Sequence, residues 1–257
     1  MYSFPILLPL INFFLFIIFS KIVNRNILIH ISTIIIFLST FLACLLIKDI
    51  VETSSTHEIF LFNWLHSGEL ISNWTIYVDF FTSLMIFIVN IISAFVQLYS
   101  IGYMKDDKLI SRFFCYLNLF TFFMLMLVSS SNLLQLFFGW EGVGLCSYLL
   151  IGFWYYKISA NNASLKAFLV NRIGDMFFVL GIILIYLTFD SINFNEIFSS
   201  FNELKSSKIN FIFFDIETVT LICVLLFLGS MGKSAQIGLH TWLPDAMEGP
   251  TPVSALI

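Results

Sequence analysis

Residues 133–152 read LLQLFFGWEGVGLCSYLLIG, twenty positions with a single formal charge, Glu141, near the middle. At 1.5 Å rise per residue, a helix of this length spans about 30 Å, the hydrocarbon thickness of a bilayer. A soluble amphipathic helix would carry a polar face at 3.6-residue spacing; this stretch is apolar around its whole circumference. It reads as a membrane helix. Its glycines, Gly139, Gly142 and Gly144, let neighbouring helices approach closely.

The rest of the chain agrees. Of 257 residues, 59% are hydrophobic and 11% charged, and the mean hydropathy is +0.96. A soluble domain needs a charged surface, so lipid is the expected solvent. Six further apolar runs are long enough to be read as spans: 3–20, 27–47, 78–101, 112–130, 164–188 and 216–240. An eighth begins after Gly249-Pro250-Thr251-Pro252. The expected fold is an all-α polytopic membrane bundle of about seven helices plus the start of an eighth. The N-terminus lacks a basic segment before its first apolar run and an Arg-rich amphipathic presequence. The first run therefore reads as a retained helix rather than a cleaved signal. A net charge of −4 points away from a nucleic-acid partner. Cys44, Cys115, Cys146 and Cys223 lie in apolar runs without metal-ligand spacing and read as core residues.

Lys and Arg in the connections set the orientation. Connections after runs one, three and five carry Lys21, Arg25, Lys105, Lys108, Arg112, Lys157 and Lys166; those after runs two, four and six carry only Lys48, Lys205 and Lys208. The N-terminus is thus expected outside. Of the two long outer connections, 49–77 alternates in Ile59-Phe60-Leu61-Phe62-Asn63-Trp64, which suggests a hairpin. The other, 190–215, is expected to hold an interfacial helix.

Ionisable groups within a bilayer cost about 2.5–3.5 kcal/mol each on insertion scales, so their presence needs a reason. Glu141, Arg172, Asp175 and Lys233 are such groups. Glu141 reads either as a proton-carrying carboxylate or as a structural partner of another helix. Ser230, Lys233, Gln236 and His240 recur at i, i+3, i+6 and i+10, which predicts a polar stripe about 15 Å long on one helix face. Such a stripe belongs against a wet interior. Lysine suits proton transfer because desolvation favours its neutral form, and histidine can relay; His240 alone also reads as an interfacial helix-end residue. Glu141 and Lys233 are expected to form a switchable pair. Arg172 and Asp175, at i, i+3, are expected to form a supporting ion pair rather than to carry the proton. Gly232-Lys233-Ser234 is not a phosphate loop, because Phe227 stands where that motif requires glycine. No dinucleotide fingerprint is present.

Several strings taken together resemble a known family. They are Tyr99-Ser100-Ile101-Gly102-Tyr103-Met104, Gly139-Trp140-Glu141-Gly142-Val143-Gly144, Asn171-Arg172-Ile173-Gly174-Asp175, Gly232-Lys233-Ser234-Ala235-Gln236 and Leu239-His240-Thr241-Trp242-Leu243-Pro244. The family is that of the largest antiporter-like subunits of respiratory complex I, NADH:ubiquinone oxidoreductase chain 5. The resemblance runs from about residue 75 to the end. It implies an antiporter-like inverted-repeat fold with a broken seventh helix, the break expected around Gly229–Gly232. It places Glu141 and Lys233 on the proton-handling glutamate and lysine, and Asp175 on the sixth-helix aspartate. It implies peripheral helices over 1–110 and an incomplete first repeat over 111–257.

The same resemblance implies a proton-translocating membrane-arm subunit with no redox cofactor of its own. NADH, FMN, iron–sulfur clusters and ubiquinone are expected on partner subunits. The implied partners are the bilayer, neighbouring antiporter-like subunits and, because the family's chains are more than twice as long, a second chain from a split gene carrying the remainder, unless the sequence is a fragment of the longer chain. The implied location is the mitochondrial inner membrane, or a bacterial cytoplasmic membrane. Two other readings are a multi-subunit cation/proton antiporter and a structural membrane-arm half that conducts nothing.

Overall fold

A computed structural model describes residues 2–68, 70–204, 208–211 and 214–257. Apolar helices stand where the seven runs were expected: α1 (Phe4–Phe19), α2 (Arg25–Thr53), α3 (Phe80–Tyr103), α4 (Ile110–Val128), α5 (Leu133–Ile151), α6 (Ile158–Phe189) and α8 (Thr218–Lys233), with the short α7 (Phe194–Leu204) between the last two. The helices α2 to α6 are long and apolar enough to cross a membrane. The other two, α1 and α8, have 16 residues each, or about 24 Å. The chain is a multi-pass membrane protein.

Local chemistry starts and stops these helices. Asp79 and Thr82 form a reciprocal capping box at the start of α3, with Thr82 N donating to Asp79 Oδ1 at 2.7 Å and Asp79 N donating to Thr82 Oγ1 at 2.6 Å. Asn132 caps α5 by accepting from Gln135 N at 2.8 Å. The helices α2 and α6 end on residues in the left-handed region, Ser54 and Asp190. α2 runs through Asp49 to Thr53, beyond the expected end at Ile47, which shortens the outer connection.

The expected hairpin is present as β1 (His57–Ser67) paired antiparallel with β2 (Leu70–Val78). It docks on the turn between α4 and α5: Tyr77 N donates to Ser129 O at 2.9 Å, and Gln135 Nε2 donates to Thr75 O at 2.7 Å. Trp64 and Trp74 pack edge-on against Phe138 of α5. The second long connection holds a short helix, α7, where an interfacial helix was expected, and a hairpin of β3 (Lys208–Phe211) and β4 (Phe214–Glu217) that the sequence reading did not anticipate. Asn132 bridges to Asn193 there, so the connections expected outside meet at one end of the bundle. Lys205, counted above among the outer basic residues, lies outside the described residues.

The basic connections meet at the opposite end. Arg112 Nη2 donates to Phe153 O at 2.8 Å, Trp154 Nε1 donates to Asp107 Oδ2 at 3.1 Å, and Lys166 pairs with Asp245 at 2.6 Å. Large apolar side chains such as Ile11, Ile34, Phe41, Phe95, Leu169 and Leu187 face outward. A surface this apolar fits lipid rather than water.

Helix α1 to α4 carry a buried polar knot. Asn12 Nδ2 donates to Ser32 Oγ and to Asn118 Oδ1, both at 2.9 Å. Gln97 Nε2 donates to the same Asn118 oxygen at 2.9 Å, and Asn118 Nδ2 donates to Ser32 Oγ at 3.2 Å. Side chains from four helices thereby satisfy one another inside the apolar bundle.

The seventh run differs from expectation. α8 stops at Lys233, and residues 234–241 leave the helix through Ala235 (φ 50°) and Gly238 (φ 99°). The break was expected around Gly229–Gly232, but both glycines remain helical. They are used for close approach: a Cβ on Gly229 would lie 2.7 Å from Phe178 Cβ, and one on Gly174 would lie 3.0 Å from Gly229 O. Helix α6 and α8 meet there almost backbone to backbone. Trp242 Nε1 donates to Gly232 O at 3.0 Å and so adds a side-chain bond to a carbonyl of the last turn, which also accepts from Ala235 N at 3.4 Å. Beyond the break come α9 (Trp242–Asp245), a 3-10 turn (Ala246–Glu248) and α10 (Thr251–Ser254), the last lying where the eighth helix was expected to begin.

Candidate functional site

Four intramembrane ionisable groups converge from α5, α6 and α8. The glycines of α5 set the arrangement. A Cβ on Gly139 would lie 2.7 Å from Leu127 N, and one on Gly142 would overlap the Phe123 ring. One side of α5 is thus pressed against α4. Trp140 and Glu141 take other directions, toward α6 and α8, and each finds a partner there.

Those partners differ from the expected ones. Glu141 Oε1 accepts from Arg172 Nη1 at 2.7 Å. Asp175 Oδ1 accepts from Trp140 Nε1 at 2.6 Å. Lys233 Nζ donates to the backbone carbonyl oxygen of Trp140 and lies 4.9 Å from the centre of its ring. Among the described residues, Arg172 therefore pairs across helices with Glu141 rather than with Asp175, and Lys233 makes no ion pair with Glu141. The reason is direction around the helix. Arg172 leans outward, with its side chain 46% exposed, onto the α5 flank where Glu141 stands, 24% exposed. Asp175 turns inward and is 7% exposed. Spacing of i, i+3 permits a pair but does not require one.

Trp140 is the residue that sequence reasoning missed. It binds Asp175 through its indole N–H and Lys233 through its carbonyl, and its ring stacks on Phe178 at 4.9 Å with 3° between planes. A partly buried indole N–H needs an acceptor. That requirement was a usable signal for Trp140 in the sequence.

The predicted polar stripe does not continue past Lys233. Ser230 Oγ donates to Phe227 O at 2.8 Å on α8 itself. Gln236 and His240 lie in the non-helical segment and are exposed. Once Ala235 adopts a left-handed conformation, the i, i+3 register is lost, so these two do not share a helix face with Lys233. The site therefore holds Asp175 and Lys233 on Trp140, with the Glu141–Arg172 pair beginning at the next residue of α5.

Comparison with known proteins follows this geometry. Residues 130–257 match the family model for the NADH:quinone oxidoreductase/Mrp antiporter transmembrane region. Residues 64–114 match the model for the N-terminus of complex I NADH-ubiquinone oxidoreductase chain 5. The chain is 51% identical over 252 residues to NADH-quinone oxidoreductase subunit L of Rickettsia felis, covering 98% of this chain and 39% of that protein. It is 47% identical to NADH-ubiquinone oxidoreductase chain 5 of Acanthamoeba castellanii, covering 100% of this chain and 38% of the other. It thus spans about two fifths of the length of these relatives. A chain of the membrane-bound sulfane sulfur reductase, an archaeal respiratory membrane complex, shares the fold, with a TM-score of 0.83 at 20% identity over 98% of this chain and 48% of that one. The chain belongs to the antiporter-like membrane family of NADH-quinone oxidoreductase subunit L and chain 5.

Proposed function

We propose that this chain supplies the first antiporter-like repeat of a proton-translocating membrane-arm subunit of NADH:quinone oxidoreductase. The observation that carries the reading is that two carboxylates and two cations gather where α5, α6 and α8 meet within an apolar bundle: Glu141 pairs with Arg172, and Asp175 and Lys233 both bind the neighbouring Trp140. Each ionisable group held there is costly, which favours a use beyond scaffolding. Residues 111–257 carry this group, and residues 1–110 supply flanking helices tied to α4 through the Asn12–Asn118 knot.

In this reading Lys233 holds the transferable proton and Arg172 is a fixed charge, since guanidinium does not give up its proton. Glu141 has two alternative cations, Arg172 and Lys233. Its movement between them would change the field at Lys233 without moving the helices. Each proton driven against the membrane potential requires about 2.3 kcal/mol per 100 mV, so this chain depends on a distant redox reaction. NADH, FMN, iron–sulfur clusters and ubiquinone would sit on partner subunits, and other membrane-arm subunits would flank this one. The membrane would be the mitochondrial inner membrane or its bacterial counterpart.

The test is proton uptake by proteoliposomes containing the assembled complex. Lys233→Met and Glu141→Gln are expected to leave the complex assembled while lowering quinone reduction and pumping together. Wild-type pumping by Lys233→Met sinks the proposal. A cation/proton antiporter is a second reading, favoured by the transmembrane model shared with Mrp antiporters. Isolation of the chain with no NADH-oxidising subunits would select it.

A further inference from the structure

At the end of the bundle where the basic connections meet lies a groove of about 620 Å³, within the roughly 300–1,000 Å³ of small-molecule sites. Its walls come from the end of α3, the start of α6 and the segment Pro244–Thr251. They carry four charged groups: Lys157, Lys166, Asp245 and Glu248. Lys166 and Asp245 neutralise each other at 2.6 Å. Among the described residues, Lys157 and Glu248 take part in no ion pair. Lys157 Nζ lies 4.3 Å from the centre of the Trp154 ring, and Trp154 is itself tethered through its indole N–H to Asp107. Glu248 Oε2 accepts from the Ser159 hydroxyl at 3.1 Å. The groove thus offers one cation and one carboxylate without charged partners, and its four charges sum to zero.

The surroundings place the groove at the edge of the lipid. On α6, Ser159, Asn162 and Lys166 face the groove. Ile158, Leu165 and Leu169 form an exposed apolar row within about 100° around the same helix. Tyr155 and Tyr156 are exposed just before α6 begins, and Met247 is exposed on the opposite wall. Exposed tyrosines beside a membrane helix end mark the head-group level, where an aromatic ring and its hydroxyl are both accommodated.

We propose that this groove binds the head group of a phospholipid that is zwitterionic and carries a primary ammonium, namely phosphatidylethanolamine. Lys157 takes the phosphate, with Asn162 as a neutral donor beside it, and Glu248 takes the ammonium. A doubly anionic head group would need an excess of positive charge, which a groove of zero net charge lacks. A choline head group has no N–H to donate to Glu248. Choline is instead held by aromatic faces, and here the Trp154 face holds Lys157 while Tyr103 stacks on Tyr99. The inference is independent of any proton-handling role for Lys233.

The experiment uses the purified assembled complex in detergent with photoactivatable diazirine lipids, and locates labelled peptides of this chain by mass spectrometry. In wild type, phosphatidylethanolamine is expected to label peptides covering 154–166 and 243–251 about fivefold more than phosphatidylcholine or phosphatidylglycerol, the scale of one partly exposed ion pair. Glu248→Gln should bring phosphatidylethanolamine down to the phosphatidylcholine level. Lys157→Gln should lower both, since both carry the phosphate, and Lys157→Arg should restore them. Soluble glycerophosphoethanolamine at the same concentration should leave the labelling unchanged. Equal labelling by the three lipids, or more by phosphatidylglycerol, overturns the proposal. Displacement by glycerophosphoethanolamine overturns the membrane source. Should the variants fail to assemble, the comparison of the three lipids on wild type decides, and a map of the complex with protein side chains filling the groove overturns the proposal.

Discussion

Replacing Trp140 by Phe is a narrow perturbation of the site. The aromatic ring still stacks on Phe178, and the backbone carbonyl that holds Lys233 is untouched. What disappears is the N–H donated to Asp175 Oδ1 at 2.6 Å. Asp175 is 7% exposed, so water cannot readily take the place of the indole. A hydrogen bond to a charged group contributes about 1.5–3 kcal/mol, or roughly ten- to a hundredfold in an equilibrium. The price falls on the packing of α5 against α6 and on the placing of Lys233, because Trp140 joins all three. Trp140→Phe is therefore expected to lower the yield of assembled complex on native gels and to lower pumping per assembled complex. The double mutant with Asp175→Asn separates the bond from the bulk of the side chain: if the hydrogen bond is the cause, Trp140→Phe adds little once Asp175 is already Asn. Full additivity of the two changes, or wild-type behaviour of Trp140→Phe, would refute the reasoning.

Two further changes probe the frame around the site. Gly142→Ala places a Cβ into the Phe123 ring; α4 and α5 should be forced apart, and the amount of assembled complex should fall steeply, with Phe123→Leu in the same chain restoring part of it. A normal yield of Gly142→Ala would show that the contact yields easily. Asn118→Ala removes three bonds of the polar knot, those with Asn12, Ser32 and Gln97; at roughly 0.6 kcal/mol for each hydrogen bond in a membrane protein, the loss is about 2 kcal/mol, and it should appear as a lower unfolding temperature in detergent with the pumping rate of the surviving complex unchanged.

The sequence by itself determined the membrane class, the positions of the seven apolar helices, the hairpin after α2 and the identity of the ionisable residues. These features depend on local quantities. Twenty apolar residues in succession span a bilayer whatever they pack against, and a charge within them stands out against that background. The strings from Tyr99 to Pro244, taken together, also carried enough of the family pattern to place the chain correctly. Tertiary structure alone decided which charge meets which. Arg172 reaches Glu141 across the helix interface, and Asp175 meets the Trp140 indole, because partner choice depends on how α5, α6 and α8 are rotated about their axes. It also decided where the seventh run breaks. Gly229 and Gly232 read as flexible points in the sequence, yet packing against Gly174 and Phe178 keeps them helical, and the chain turns away only after Lys233. A sequence records glycine's freedom, but the neighbouring helix determines whether that freedom serves for bending or for close approach.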